Sequence, residues 1–281
     1  MSSSPLPPGA PHRASRYGTA QANWSSLRHG LARAVPGAVG LAGVIVLWSV
    51  ALTLATDSDS LAAQFSPARA FAALPILVAE DHLLMHITTS LRRIASGLAI
   101  AVLLGVPLGF VLGRIKAIDA TLSPVLQFLR MVSPLSWMPI AVMSLGVGER
   151  PVIFLLAFAG LWPVLMSTAH GVAQIDRRWV HLGESLAATP AEMLLHVYLP
   201  GIASHVLTGV RLAIGILWIV LVPAEMLGVS SGLGYLVLDT RDRLAYSELT
   251  AIILVIGTLG FMLDQTARLA WNRFGTASSM R

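Results

Sequence analysis

Cysteine is missing from all 281 residues, which excludes disulfides, thiol nucleophiles and thiolate metal ligands. Lysine is almost missing: Lys116 stands alone against eighteen arginines. Its context, Gly113-Arg114-Ile115-Lys116, is not the G-x-x-x-x-G-K-[ST] of a Walker A loop, so the chain cannot hydrolyse nucleotide by that route. Charge of either sign is scarce, at 12% of residues, while 55% are hydrophobic and the mean hydropathy is +0.73. A soluble domain of this length is not that apolar, so the class is an all-α integral membrane protein with several spans in the lipid bilayer. The net charge of +5 then reports which loops face the cytoplasm and gives no reason to expect a nucleic-acid partner.

What is present is a series of apolar runs. Residues 1–34 are rich in Ser, Pro, Gly and Ala and hold no acid, which predicts a disordered tail without the apolar core of a cleaved signal peptide. Residues 35–270 read as a six-helix transmembrane domain and 271–281 as a C-terminal tail. Val35–Thr56 is uncharged over 22 residues, enough to cross the hydrocarbon. Residues 57–83 are acidic and predict an external segment with a short helix after Ser66-Pro67. The later spans are expected near 84–113, 122–148, 151–175, 202–227 and 249–263. Six spans put both termini on one side. That side collects twelve Lys and Arg against six opposite, with Arg211 left in the membrane, so the richer side is cytoplasmic.

Within the spans, Gly97, Ala101, Gly105, Gly109 and Gly113 recur every fourth residue, a stripe that lets a neighbouring helix approach closely, within the subunit or across a dimer. Pro124, Pro134 and Pro139 break the third span. Such backbone is tolerated where it lines a wet cavity, so Met131 to Pro139 is a candidate pathway lining, an ordinary kinked helix being the other reading. Ser133, Trp137 and Met138 there, with Arg211, Trp218 and Glu225 on span five, are the pathway-lining candidates. A guanidinium at Arg211 costs at least about 2.5 kcal/mol at mid-membrane, so it either faces an anion or a buried acid, or snorkels to the cytoplasmic interface. His82 and His86 have i, i+4 spacing; a solvated helix end or a metal site both fit, and no HExxH accompanies them. Ser230 and Ser231 follow the last histidine, His205, the wrong order for an intramembrane serine protease.

The stretch 176–200 interrupts these spans with charge and helical spacing. It reads as an amphipathic helix on the cytoplasmic face, unable to sit in lipid and suited to docking on something outside the membrane. Its segment 181–200, HLGESLAATPAEMLLHVYLP, resembles the EAA loop of binding-protein-dependent ABC importers, with Val197, Leu199 and Pro200 at its end and His181, Leu182, Gly183 and Ala187 replacing the Glu, the two Ala and the Gly. Ser66-Pro67 with Ala73-Leu74, Ser90-Leu91-x-Arg93 with Gly97, GVPLGFVLG at 105–113, SPLSWMPI at 133–140, WPVLMSTAHGVAQID at 162–176, TGVRLAIGILWIVLVPAEML at 208–227 and GLGY at 232–235 resemble the nitrate/sulfonate/taurine/bicarbonate branch. The resemblance implies a type I importer permease of the bacterial inner membrane, not itself an enzyme, working with a second copy of itself. It implies cytoplasmic ABC ATPase subunits that bind ATP and Mg, a solute-binding protein outside, and no cofactor on this chain. It places ATPase docking on His181, Gly183, Glu184, Ala187, Ala188, Leu199 and Pro200. A self-contained ion-coupled transporter is the competing expectation; it predicts inverted repeats and a central intramembrane acid, and spans one to four hold neither Asp nor Glu at their centres.

Overall fold

The coordinates are a computed structural model that describes residues 39–40, 43–52, 54, 61–79 and 81–278, with side chains described as far as 269. They fall into two units divided after Pro67. In the first, helix α1 (Gly43–Leu52) is apolar, and a 3-10 turn covers Leu61–Phe65. Most of the remaining part of the expected first span, and the whole 1–34 tail, lie outside the described residues.

The second unit is built of helices alone among the described residues: α2 (Pro67–Ala79, starting at the last residue of the first unit), α3 (Leu83–Arg114), α4 (Lys116–Met131), α5 (Met138–Leu145), α6 (Glu149–Ala173), α7 (Arg177–Ser185), α8 (Pro190–Met193), α9 (Leu199–Gly228), α10 (Leu233–Asp242) and α11 (Tyr246–Ser278). Four runs are long and apolar enough to cross a membrane: α3, α6, Pro190–Gly228 and α11. A fifth candidate is the pair α4 and Pro134–Leu145, bent by 87°. The described residues thus hold four or five spans where six were expected for the whole chain, and α11 runs on as helix through much of the expected 271–281 tail.

Local chemistry sets these boundaries. Proline disfavours helical backbone in the residue before it, and Ser133 accordingly has ψ 130° in front of Pro134. The third span breaks there as expected; Pro139 falls in the first turn of α5, and Pro124, also expected to break the span, lies inside α4. Pro67 opens α2, where its missing N–H needs no partner.

The stripe on α3 faces α6. A methyl added at Gly97 would lie 2.6 Å from Leu156 Cβ, and one at Gly109 would collide with the Leu165 carbonyl oxygen. Gly105 and Gly113 meet Val164 and Ala169 in the same way, and Ala101 is buried between them. Close packing within the subunit is therefore the use of all four glycines. Against this pair α9 adds Ala213, Leu217 and Leu221, which share one core with Ile94, Leu155 and Leu156. A second core joins Ala70 and Leu77 of α2 to Leu233, Leu236, Ala251 and Ile252.

Gly109→Ala is expected to lower stability by roughly 1–3 kcal/mol, because the backbone of α6 must move. Gly257→Ala, with open space around its Cβ, is expected to be neutral or stabilising by up to about 1 kcal/mol. Thermal unfolding of the two purified variants in detergent checks the contrast.

Candidate functional site

Two places gather polar chemistry, one at each end of the α3–α6–α9 bundle. The first is the stretch expected as one amphipathic helix over 176–200. It is not one helix. Asp176 caps α7, accepting the Arg178 N–H at 2.9 Å. The helix ends at Leu186, where Ala187 takes the left-handed conformation with φ 54°. The Ala187 N–H donates to the Glu184 carbonyl and the Ala188 N–H to the Gly183 carbonyl, both at 3.0 Å, which is a Schellman closure. Thr189 and Glu192 then form a capping box, with Pro190 as the first helical residue. The left-handed Ala187 and its closure end α7, and Pro190, which has no N–H to bond the carbonyl of Leu186, begins a new helix behind its own cap.

From Pro190 the backbone continues to Gly228 as one 39-residue run. A π turn at Leu194–Tyr198 lies within it, just before Pro200, and the wider turn relieves the clash between the Pro200 ring and the carbonyl of residue 196. Leu199 and Pro200, expected to end the amphipathic stretch, therefore lie within the continuous Pro190–Gly228 run. Tyr198 is buried, edge-on to Phe110 at 5.3 Å, with the Arg114 guanidinium 5.6 Å above its ring.

Unlike an ordinary surface helix, α7 does not pack its apolar side inward. At 100° per residue, Trp179, Leu182 and Leu186 share one side, and they are 60%, 50% and 74% exposed. Arg177, Val180, His181 and Glu184 share the opposite side and line a cleft of about 800 Å³, shared with Arg114 and Lys116 from α3 and α4. Gly183 is buried against the sulfur of Met193, so it packs α7 onto the following helix and does not belong to an outward docking face. Ala187 is exposed and Ala188 half-buried in the turn. Reading the segment as one periodic helix missed the break and the apolar face; Thr189-Pro190, a helix-start signature, was the signal for it.

The second place is a buried polar cluster at the opposite end. Glu225 is fully buried, and its carboxylate accepts from Arg93 Nη1 at 2.8 Å, from the Ser90 hydroxyl at 2.9 Å and from the Gly234 N–H at 2.9 Å. Arg93, 1% exposed, also donates to the Ser231 carbonyl at 2.7 Å and the Ser231 hydroxyl at 3.1 Å. Glu149 bonds exposed Arg92 and lies 3.5 Å from Arg93. The Gly232 N–H donates to His86 Nδ1 at 2.9 Å, so that nitrogen is not free for a metal. No group of three metal-ligating side chains occurs among the described residues. The cluster ties α3, α9 and the 229–233 turn together. Sequence reasoning counted Arg93 as a loop charge and Glu225 as a pathway residue; the structure puts both in the interior. The signal was available: stepping back along α3 from Gly97 by four, three and four residues reaches Arg93, Ser90 and His86.

Of the other pathway candidates, Met138 is buried in the core and lines no surface of this chain. Ser133 is exposed, and Trp137 is half-buried against Phe158 at 5.6 Å between ring centroids. Trp218 packs partly on both cores. Arg211 is half-buried on α9 and has no hydrogen bond or ion pair to another described residue.

Long apolar helices, a broken span and closely packed α3 and α6 define a helical membrane protein of several spans. The family comparison is direct: residues 101–269 match the model for the binding-protein-dependent transport system inner membrane component, and the chain belongs to that family. It is thus a multi-pass inner-membrane protein. Among its relatives, the bicarbonate transport system permease protein CmpB of Synechococcus elongatus is 34% identical over 63% of this chain and 64% of its own length. The taurine transport system permease protein TauC of Escherichia coli K12 is 36% identical over 64% of this chain and 65% of its own. The nitrate import permease protein NrtB of Synechocystis is 30% identical over 64% and 66%. The chain spans just under two thirds of the length of each. An inward-facing structure of the MetNI methionine ABC transporter matches with a TM-score of 0.55 at 15% identity, over 70% of this chain and 95% of that one, which shows the fold.

Arg93→Met alone is expected to destabilise the protein by about 3–5 kcal/mol, because it leaves the Glu225 carboxylate buried without its cation. Arg93→Met with Glu225→Leu is expected to recover part of that loss, read as melting temperature. Ala187→Gly is expected to stabilise the elbow by roughly 0.5–1 kcal/mol. That is the left-handed penalty of about 1–2 kcal/mol less the extra chain entropy of glycine. Slower hydrogen exchange at the amides of residues 187 and 188 is the measure.

Proposed function

We propose that this chain is the membrane-spanning permease subunit of an ATP-driven importer, with six spans, both termini in the cytoplasm, and a second copy completing the pathway. The observation that carries the reading is the exposed apolar face of α7. An exposed apolar face made of Trp179, Leu182 and Leu186 is unfavourable in water and is accounted for by a protein groove that covers it. Cytoplasmic ATPase subunits, which hold the ATP and Mg, supply that groove. Docking centres on those three side chains, with Ala187 and Ala188 in the adjoining turn. The capped elbow and the unbroken Pro190–Gly228 helix give a stiff path from the docked surface into the membrane. Closure of the ATPase pair then moves α7 and α9 as a body, and alternating access follows.

The cargo class we infer is a small anion such as nitrate, a sulfonate or bicarbonate, delivered by a solute-binding protein outside. Support comes from the names of the relatives and from Arg211, a membrane cation with no acid bonded to it among the described residues. Ser133, Trp137, Arg211 and Trp218 are the residues we assign to the pathway.

Leu182→Arg is expected to reduce co-purification of the ATPase subunits at least tenfold while leaving the melting temperature of the permease unchanged. Arg177→Gln, on the opposite face of α7, is expected to retain them. Equal retention by both variants would remove the docking face from the account.

A further inference from the structure

The cleft behind α7 has no role in docking, because its lining residues point away from the exposed apolar face. It is a concave space of about 800 Å³ at the end of α3, a membrane-spanning helix, and it lies on the side that the arginine count makes cytoplasmic. Its cations are Arg114, Lys116 and Arg177, and its acids are Asp119 and Glu184. Both acids are already engaged: Glu184 lies 3.2 Å from His181, and Asp119 accepts the Ser123 hydroxyl at 2.8 Å. His170 is bonded to Gln174 at 2.9 Å. Arg114 is held over the ring of Tyr198. Lys116 and Arg177 make no hydrogen bond or ion pair with any described residue.

The apolar residues of α7 could have closed this space by turning inward. Instead the helix keeps its polar side toward the cleft, whose lining holds three cations against two acids. A cleft with three cations, two of them bonded to no described residue, at helix ends on the cytoplasmic side suits a phosphate-type oxyanion with several acceptor oxygens. We propose that this cleft is a binding site for a phosphate group, separate from the transport pathway and from the ATPase-docking face. The group reaches it either on an anionic lipid of the inner leaflet or as a free oxyanion of the cytosol. An ion there would bridge α3, α4 and α7, and so tie the elbow to the ends of the neighbouring spans.

The test uses the full-length permease in phosphatidylcholine nanodiscs, with the melting temperature followed by tryptophan fluorescence. Phosphatidylglycerol is added to the discs in one arm. Inorganic phosphate is titrated into phosphatidylcholine-only discs in the other, with sodium chloride at matched ionic strength as the screening control. A saturable rise in the first arm alone identifies a lipid phosphate; a rise in the second identifies a free oxyanion. Lys116→Gln with Arg177→Gln is expected to weaken the midpoint at least about tenfold, the loss of charge-assisted hydrogen bonds to one ion. No rise in either arm with the wild-type chain, a rise equalled by sodium chloride, or an unchanged midpoint in the double variant would overturn the site. Loss of the rise once the ATPase subunits are bound would also overturn it, assigning the cleft to the docking interface. Failure of the docking reading shows elsewhere, in the co-purification of Leu182→Arg, and leaves this titration unchanged.

Discussion

The close approach of α3 to α6 is the constraint on which the arrangement rests. Between helices in lipid the hydrophobic effect supplies little, so association depends on packing and on polar groups satisfied inside the protein. Glycines on α3 bring the two backbones together over about 16 residues, Gly97 to Gly113. That contact fixes what each end of α3 can reach. At one end Arg93 enters the space beside α9 and meets Glu225. At the other Arg114 lies over Tyr198, on the run that leads into α9. The same stripe thus places both polar sites of the molecule.

Between those sites runs the Pro190–Gly228 helix, and its two ends are held differently. The Glu225 end is locked by a buried ion pair and several hydrogen bonds, which resist separation of α3, α9 and the 229–233 turn. The Pro190 end follows a turn whose closure relies on an alanine in a left-handed conformation that glycine would adopt more readily. A membrane helix anchored at one end and entered through a capped elbow at the other is suited to carrying displacement between them. The two sides of α7 differ at the elbow: Trp179, Leu182 and Leu186 are exposed on one, and Arg177, His181 and Glu184 line the cleft on the other.

Much of this was legible in the sequence because it depends on local chemistry or on simple periods. The four-residue stripe and the break at Pro134 were read correctly, as was the helix start at Pro67, whereas Pro124 lies inside the continuous α4. The comparisons bear out the family resemblance of the segments from 105 to 235. What sequence reasoning missed was of two kinds. Arg93 and Glu225 lie 132 residues apart, and only the fold brings them together. The break at residues 186–190 was local, yet apolar spacing across 176–200 outweighed the Thr189-Pro190 signature. Gly183 illustrates the consequence: on a single docking helix it lies outward, whereas the turn folds it against Met193.

The central claim is that the apolar face of α7 is cytoplasmic and is covered by a separate ATPase. The absence of native cysteine makes this directly measurable, because Leu182→Cys introduces the sole thiol. With a membrane-impermeant maleimide, the account predicts labelling in inverted inner-membrane vesicles, no labelling in intact spheroplasts, and loss of labelling when the ATPase subunits are bound. Labelling of intact spheroplasts, or labelling in vesicles that bound ATPase leaves unchanged, would contradict it.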